Sequence, residues 1–138
     1  MKCWSSSSLV LSVAALALVG CGPSPDTSEG AFREATGDMG ALHFQVETDK
    51  PVAEGSNDLR ISIHETATDM PFTGATVDVS ALMPAMAHDA PRPMMEEQTD
   101  GTYLAHGLSL TMAGRWNVKI TASRAAIADE VQFTYDVP

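Results

Sequence analysis

The sequence contains very little cysteine, and this scarcity excludes several kinds of site. Its two cysteines are Cys3 and Cys21, so nothing after residue 21 can contribute to a disulfide framework, a CxxC pair or a cysteine-bound zinc site. The rest of the chain must therefore fold by packing alone.

Positive charge is also scarce. Eight Lys and Arg residues stand against eighteen Asp and Glu residues, which gives a formal net charge of −10. Proteins that bind nucleic acid need clustered Lys and Arg to neutralise phosphates, so we expect no nucleic-acid partner.

The motifs of common enzymes are missing as well. The sequence has no glycine-rich phosphate loop, no nucleophile elbow and no HExxH motif. Glu96 and Glu97 are adjacent carboxylates, which would point to opposite faces of a strand rather than act together. We expect a protein that is not an enzyme.

One apolar run, from Leu9 to Leu18, lies close to the N-terminus. With a positive start before it and small residues after it, this run is typical of a secretory signal, and it is too short to cross about 30 Å of hydrocarbon. Leu18-Val19-Gly20-Cys21 resembles the bacterial lipobox. The resemblance implies that residues 1–20 are a lipoprotein signal peptide. It also implies that Cys21 is acylated, with palmitate for example, and anchors the protein in a membrane.

The lipobox resemblance places the protein in the cell envelope, facing the periplasm or the exterior. Gly22 stands where an Asp would retain a Gram-negative lipoprotein in the inner membrane, so the outer membrane is favoured in such a cell. An ordinary secreted protein cut nearby, or an uncleaved anchor, are the alternatives.

Residues 21–40 are rich in Pro, Ser, Thr, Gly and Asp, and Phe32 and Met39 are their only large apolar residues. This composition predicts a flexible tether. The folded domain is predicted to begin near Ala41 and to span residues 41–138.

From Ala41 onward, apolar residues alternate with polar ones, as in half-buried strands. The pattern predicts an all-β fold, an immunoglobulin-like β-sandwich of about seven strands. Ala122 to Ala128 is predicted to be a loop between the last two strands, with a single helical turn as the alternative. The alternating sets are Leu42, Phe44 and Val46; Leu59, Ile61 and Ile63; Val77 and Val79; Tyr103 to Leu110; Trp116, Val118, Ile120 and Ala122; and Val131, Phe133, Tyr135 and Val137.

The segment Leu82–Met95 departs from this pattern. It holds four of the eight methionines, together with His88 and three prolines. Proline discourages both helix and sheet, so an exposed loop is predicted. Thioether and imidazole donors suit Cu(I) better than hard ions such as Mg²⁺, so the segment suggests a copper site.

Three stretches resemble the YtkA-like domain, whose relatives include FixH-type proteins. They are Pro71-Phe72-Thr73-Gly74-Ala75-Thr76-Val77, Met83-Pro84-Ala85-Met86-Ala87-His88, and Gly101-Thr102-Tyr103 continuing to Leu110-Thr111-Met112-Ala113-Gly114-Arg115-Trp116. The resemblance implies a compact β-sandwich over residues 41–138, with a link to copper handling or to assembly of copper-containing oxidases. A lipobox stands here in place of the membrane helix of FixH-type proteins.

Carried over to this chain, the resemblance implies that Met83, Met86 and His88 bind the metal, with Met112 from a neighbouring turn. Met94 and Met95 are candidates to complete the shell. Because imidazole binds metal only when neutral, binding should weaken in acid.

Other interpretations of these residues remain open. Met83 and Met86 could simply fill one end of the sandwich, and Met112 and Trp116 are also predicted core residues. Three further histidines, His43, His64 and His106, are each expected to stand alone on a polar strand face.

Two functions are therefore consistent with the sequence. One is a copper-binding lipoprotein that captures Cu(I) or passes it to a copper-trafficking or other envelope protein. The other is a metal-free interaction module, in which exposed Met and Pro residues form a patch for a partner protein. The copper hypothesis requires the donor atoms of Met83, Met86, His88 and Met112 to converge.

Overall fold

The computed structural model describes residues 31–138, which form nine strands and no helix. The predicted signal peptide and the predicted lipidation site at Cys21 lie outside these residues. The strands are β1 (Phe32–Thr36), β2 (Leu42–Glu47), β3 (Gly55–Glu65), β4 (Thr76–Met83), β5 (His88–Asp89), β6 (Met94–Glu97), β7 (Thr102–Leu110), β8 (Gly114–Arg124) and β9 (Ile127–Val137).

The strands form two antiparallel sheets. Sheet A has the order β1-β2-β3-β7-β6, and sheet B has the order β5-β4-β8-β9. The predicted all-β sandwich is confirmed, with nine strands rather than about seven, because β1 and the short strands β5 and β6 were not expected. Over residues 31–138 there is no helix long and apolar enough to cross a membrane.

The core lies between the sheets and follows the alternation in the sequence. Phe44 and Ile61 from sheet A are fully buried, as are Trp116 and Ile120 from sheet B. Trp116 is thus a core residue, as predicted. Packing of these apolar faces is the main source of stability in a fold without disulfides.

Strand β1 lies within the stretch that composition predicts to be a flexible tether. It pairs with β2 along its whole length, from Phe32 opposite Glu47 to Thr36 opposite His43. The Ala31 N–H also donates to Thr48 Oγ1 at 2.7 Å. The ordered sandwich therefore begins before Ala41, because backbone pairing holds a strand that buries few side chains.

The loop from β1 to β2 is held by the buried Asp129 of β9. Its carboxylate accepts four backbone N–H bonds of 2.8–3.0 Å, from Met39, Ala41, Leu42 and Glu130. Burial by itself raises the pKa of Asp129, but the four N–H donors outweigh it and hold the pKa below its ordinary value.

The predicted loop Ala122–Ala128 is a tight hairpin instead. Strand β8 continues to Arg124, β9 starts at Ile127, and Ala125 turns the chain with φ at 50°. The loop prediction was therefore wrong for most of its length. Neither Gly nor Asn marks this turn, so its sequence gave no signal for so short a connection.

The last residue of β8 also links the two sheets. Arg124 Nη2 donates to Glu65 Oε1 of sheet A at 2.6 Å, and Nη1 donates to the Thr73 carbonyl at 2.8 Å. Its guanidinium lies 4.2 Å from the centre of the Phe72 ring. Together these three contacts of Arg124 connect the two sheets at one end of the sandwich.

Candidate metal centre

The methionine-rich segment begins as a hairpin in sheet B. Strand β4 ends at Met83, and β5 begins at His88 directly opposite it. The turn between them places Ala87 at φ 48° and bonds the Met86 N–H to the Met83 carbonyl at 3.2 Å. Residues opposite each other in an antiparallel pair project to the same face, so the Met83 and His88 side chains are neighbours.

Met83 is buried, with only 3% of its surface exposed. It continues the inward series of β4 formed by Val77, Val79 and Ala81. A Cβ atom placed on Gly114 would lie 3.1 Å from Met83 Cε and 3.8 Å from its Sδ. The thioether therefore packs against the start of β8. The prediction that the whole segment Leu82–Met95 is an exposed loop was wrong for the buried Met83, and also for the parts that form the end of β4, all of β5 and the start of β6.

His88 stands at the exposed rim of the same end. Its ring meets the buried Trp116 edge-on, with the ring centres 6.0 Å apart and the planes at 71°. Its Nε2 atom lies 3.4 Å from Thr111 Oγ1 in the connection from β7 to β8. The imidazole is thus positioned by contacts to Trp116 and Thr111.

Met112 belongs to that same connection. It is half-buried against the core, and its carbonyl accepts a 3.0 Å bond from Trp116 Nε1. Trp116 therefore contacts His88 through its ring and Met112 through its N–H. The structure brings Met83, His88 and Met112 to one end of the sandwich, which we call the Met/His end.

Met86 occupies the turn of the hairpin, three residues beyond Met83, and 65% of its surface is exposed. Its side chain therefore faces solvent rather than the core. It is the outermost thioether of the Met/His end.

Met94 and Met95 are placed elsewhere. They lie on β6 in sheet A, opposite His106 and Ala105 of β7. At about 3.4 Å per residue, these partners lie roughly 13–17 Å back from Leu110, where β7 reaches the Met/His end. Met94 is 75% exposed, whereas Met95 packs partly against the core, so the two point to opposite faces. The expectation that they complete the shell is not met.

Harder donors do not form a cluster in the described part of the chain. No three His, Cys, Asp or Glu side chains between residues 31 and 138 come together as a metal site. The Met/His end offers one imidazole and neutral thioethers, a donor set that fits Cu(I) and is poorly matched to Mg²⁺ or Ca²⁺.

The fold is similar to that of FetP from uropathogenic Escherichia coli strain F11, solved as isolated after expression in the periplasm. The superposition has a TM-score of 0.55 at 10% sequence identity, covering 79% of this chain and 95% of that one. A copper-bound variant of FetP gives a TM-score of 0.56 at 10% identity, covering 80% and 97%.

No curated protein sequence matches this chain. A family model does match, over residues 39–121, which include β2 to β7, the Met/His end and most of β8. The chain belongs to the YtkA-like family.

Proposed function

We propose that this protein binds Cu(I) at the Met/His end, through Met83 and His88 with Met112 and Met86 as further donors. The observation that carries the proposal is the position of Met83 directly opposite His88, whose ring is in edge-on contact with Trp116. Two donors of suitable softness are thereby held side by side by the backbone, before any metal binds.

The four proposed donors differ in burial, which suggests that they have different roles. Met83 and Met112 lie at or below the surface, whereas His88 and Met86 are accessible. An ion would then reach the site from the rim formed by His88 and Met86. Such an arrangement suits a protein that accepts and releases copper rather than one that keeps it permanently.

The copper-bound FetP variant supports the proposal as a protein of similar fold that holds this metal. FetP was expressed recombinantly in the periplasm, a compartment consistent with the exported location inferred here from the leader. We further propose that acylated Cys21 anchors the protein in the cell envelope. The protein is proposed not to be an enzyme, and its proposed partner is a copper-trafficking or other envelope protein. A link to FixH-type oxidase assembly belongs to the same proposal.

The decisive experiment is a titration of the purified protein with Cu(I) in competition with a chelator of known affinity. Met83→Leu keeps the buried volume and removes the sulfur, and His88→Gln removes the imidazole. We expect each change to weaken Cu(I) binding at least about tenfold, which corresponds to about 1.4 kcal/mol. Met70→Leu is the matched control, because Met70 is exposed and lies between β3 and β4, away from the hairpin turn.

An affinity that is unchanged in the double variant Met83→Leu/His88→Gln would remove these ligands from the proposal. The exposed Met86 then favours the second function, a metal-free docking module. That function predicts partner capture that persists in the presence of chelators and is lost in Met86→Ser.

A further inference from the structure

The outer face of sheet A carries two histidines that the register brings together. His43 of β2 lies directly opposite His64 of β3. Their neighbours Leu42, Phe44 and Ile63 are buried, so both imidazoles project from the other, solvent-facing side of the sheet. Side chains opposite each other on antiparallel strands have Cβ atoms about 4.5–5.5 Å apart. These two histidines therefore do not stand alone, contrary to the expectation from sequence.

A carboxylate of β1 borders the same pair. Glu34 Oε2 lies 3.6 Å from His43 Nε2, and the other ring nitrogen of His43 lies 3.5 Å from Thr36 Oγ1. Glu34 also accepts a 3.3 Å bond from Gln45, which holds it over β2. The three strands β1, β2 and β3 thus present one carboxylate and two imidazoles on one surface.

We propose that His43 and His64, with Glu34 as a third donor, form a site for one divalent late first-row transition cation, with Cu(II) bound most tightly. Imidazole nitrogens bind such ions at about 2.0–2.1 Å, so two of them on one ion lie about 3 Å apart. Imidazoles on opposed strands reach this separation by side-chain rotation alone. Among divalent ions of this row, N and O donors bind Cu(II) most strongly.

Rotation is required because no three such side chains between residues 31 and 138 already converge. His43 and Glu34 are both accessible, with 34% and 53% of their side-chain surface exposed. Exposed side chains change rotamer within nanoseconds, so the two imidazoles and the carboxylate can turn toward an ion as it binds.

This site is distinct from the Met/His end. It lies on sheet A, contains no sulfur and suits a divalent ion, whereas the Met/His end lies at the edge of sheet B and suits Cu(I). The proposal therefore does not depend on the proposed function.

The test is a Cu(II) titration of the full-length protein in mild detergent, followed by electron paramagnetic resonance. We expect one Cu(II) with nitrogen couplings from two imidazoles. His43→Gln and His64→Gln should each weaken this binding by about tenfold or more, because each removes one arm of the chelate. His106→Gln is the matched control. His106 is also a partly exposed histidine of sheet A and lies near the carboxylates of Glu96 and Asp58, but Met94 rather than a second imidazole stands opposite it.

Wild-type Cu(II) affinity in either His43→Gln or His64→Gln would overturn the proposal, and so would an equal loss in His106→Gln. A Cu(I) competition titration on the same variants separates the two sites. His43→Gln and His64→Gln should leave Cu(I) affinity unchanged, whatever the outcome for Met83 and His88.

Discussion

The carboxylate of Asp129 fills the space beside Gly37. A Cβ atom at residue 37 would lie 2.3 Å from Asp129 Cγ and 2.4–2.5 Å from its two oxygens. Because Gly37 has no Cβ atom, the Asp129 carboxylate can approach the turn closely enough to accept its four N–H bonds. One buried anion thereby joins the first hairpin of sheet A to β9 of sheet B.

Replacing Asp129 with Asn should destabilise the fold by about 2–4 kcal/mol. The amide oxygen can accept only part of the four bonds, and the amide NH₂ would face N–H donors, leaving buried groups unpaired. Unfolding in urea measures the loss. Asp136→Asn is the control, because Asp136 is exposed and pairs with the exposed Arg115, so its change should stay within about 0.5 kcal/mol.

The same carboxylate should make stability depend on pH. Because folding lowers the pKa of Asp129 below its ordinary value of 3.8, the charged form stabilises the folded state. This contribution is complete well above pH 3.8 and is lost as the pH falls below that value toward the folded pKa. Unfolding free energies of the wild type and of Asp129→Asn should therefore converge in acid, and a constant difference down to about pH 2 would contradict this assignment.

Replacing Arg124 with Lys should loosen the link between the sheets. Lys keeps the charge but cannot donate to Glu65 and the Thr73 carbonyl at once in the planar geometry of Arg, and its stacking on Phe72 is weaker. We expect a loss of about 1–2 kcal/mol in thermal or urea unfolding. Arg115→Lys, at an exposed pair with Asp136, should have little effect.

Met94→Leu and Met95→Leu should leave Cu(I) affinity unchanged, alone or together. Both residues lie on β6 in sheet A, away from the hairpin of Met83 and His88. Cu(I) titrations in competition with a chelator, carried out on these variants and on Met83→Leu for comparison, measure the difference. A loss of affinity in Met94→Leu comparable to that in Met83→Leu would show that the copper ligands extend to β6.

The long strands could be predicted because each buries one face. In β2, Leu42, Phe44 and Val46 are fully buried, and their alternation with polar residues is legible in the sequence. Strand β1 lacks this signal, since its burial does not alternate and backbone pairing holds it. The short strands β5 and β6 were not predicted because the nearby Pro91 and Pro93 indicated a loop. These prolines lie between the two strands rather than within them.

The candidate site was predicted in part. The pairing of Met83 with His88 needs only a tight turn between them. The spacing of Val77, Val79, Ala81 and Met83 is a signal that Met83 faces inward, but the prediction of an exposed loop missed it. The opposition of His43 and His64 depends on the register of two strands that are joined by the loop of residues 48–54. No local pattern in the sequence fixes that register.

Strand β1 also limits how far the sandwich can stand from a membrane. With Cys21 as the proposed lipid anchor and β1 starting at Phe32, only residues 22–31 connect the two. Ten residues span at most about 35 Å when fully extended. If the protein is anchored in this way, the proposed copper site at the Met/His end would lie close to the same bilayer, and a partner embedded in the opposite membrane would have to extend toward it.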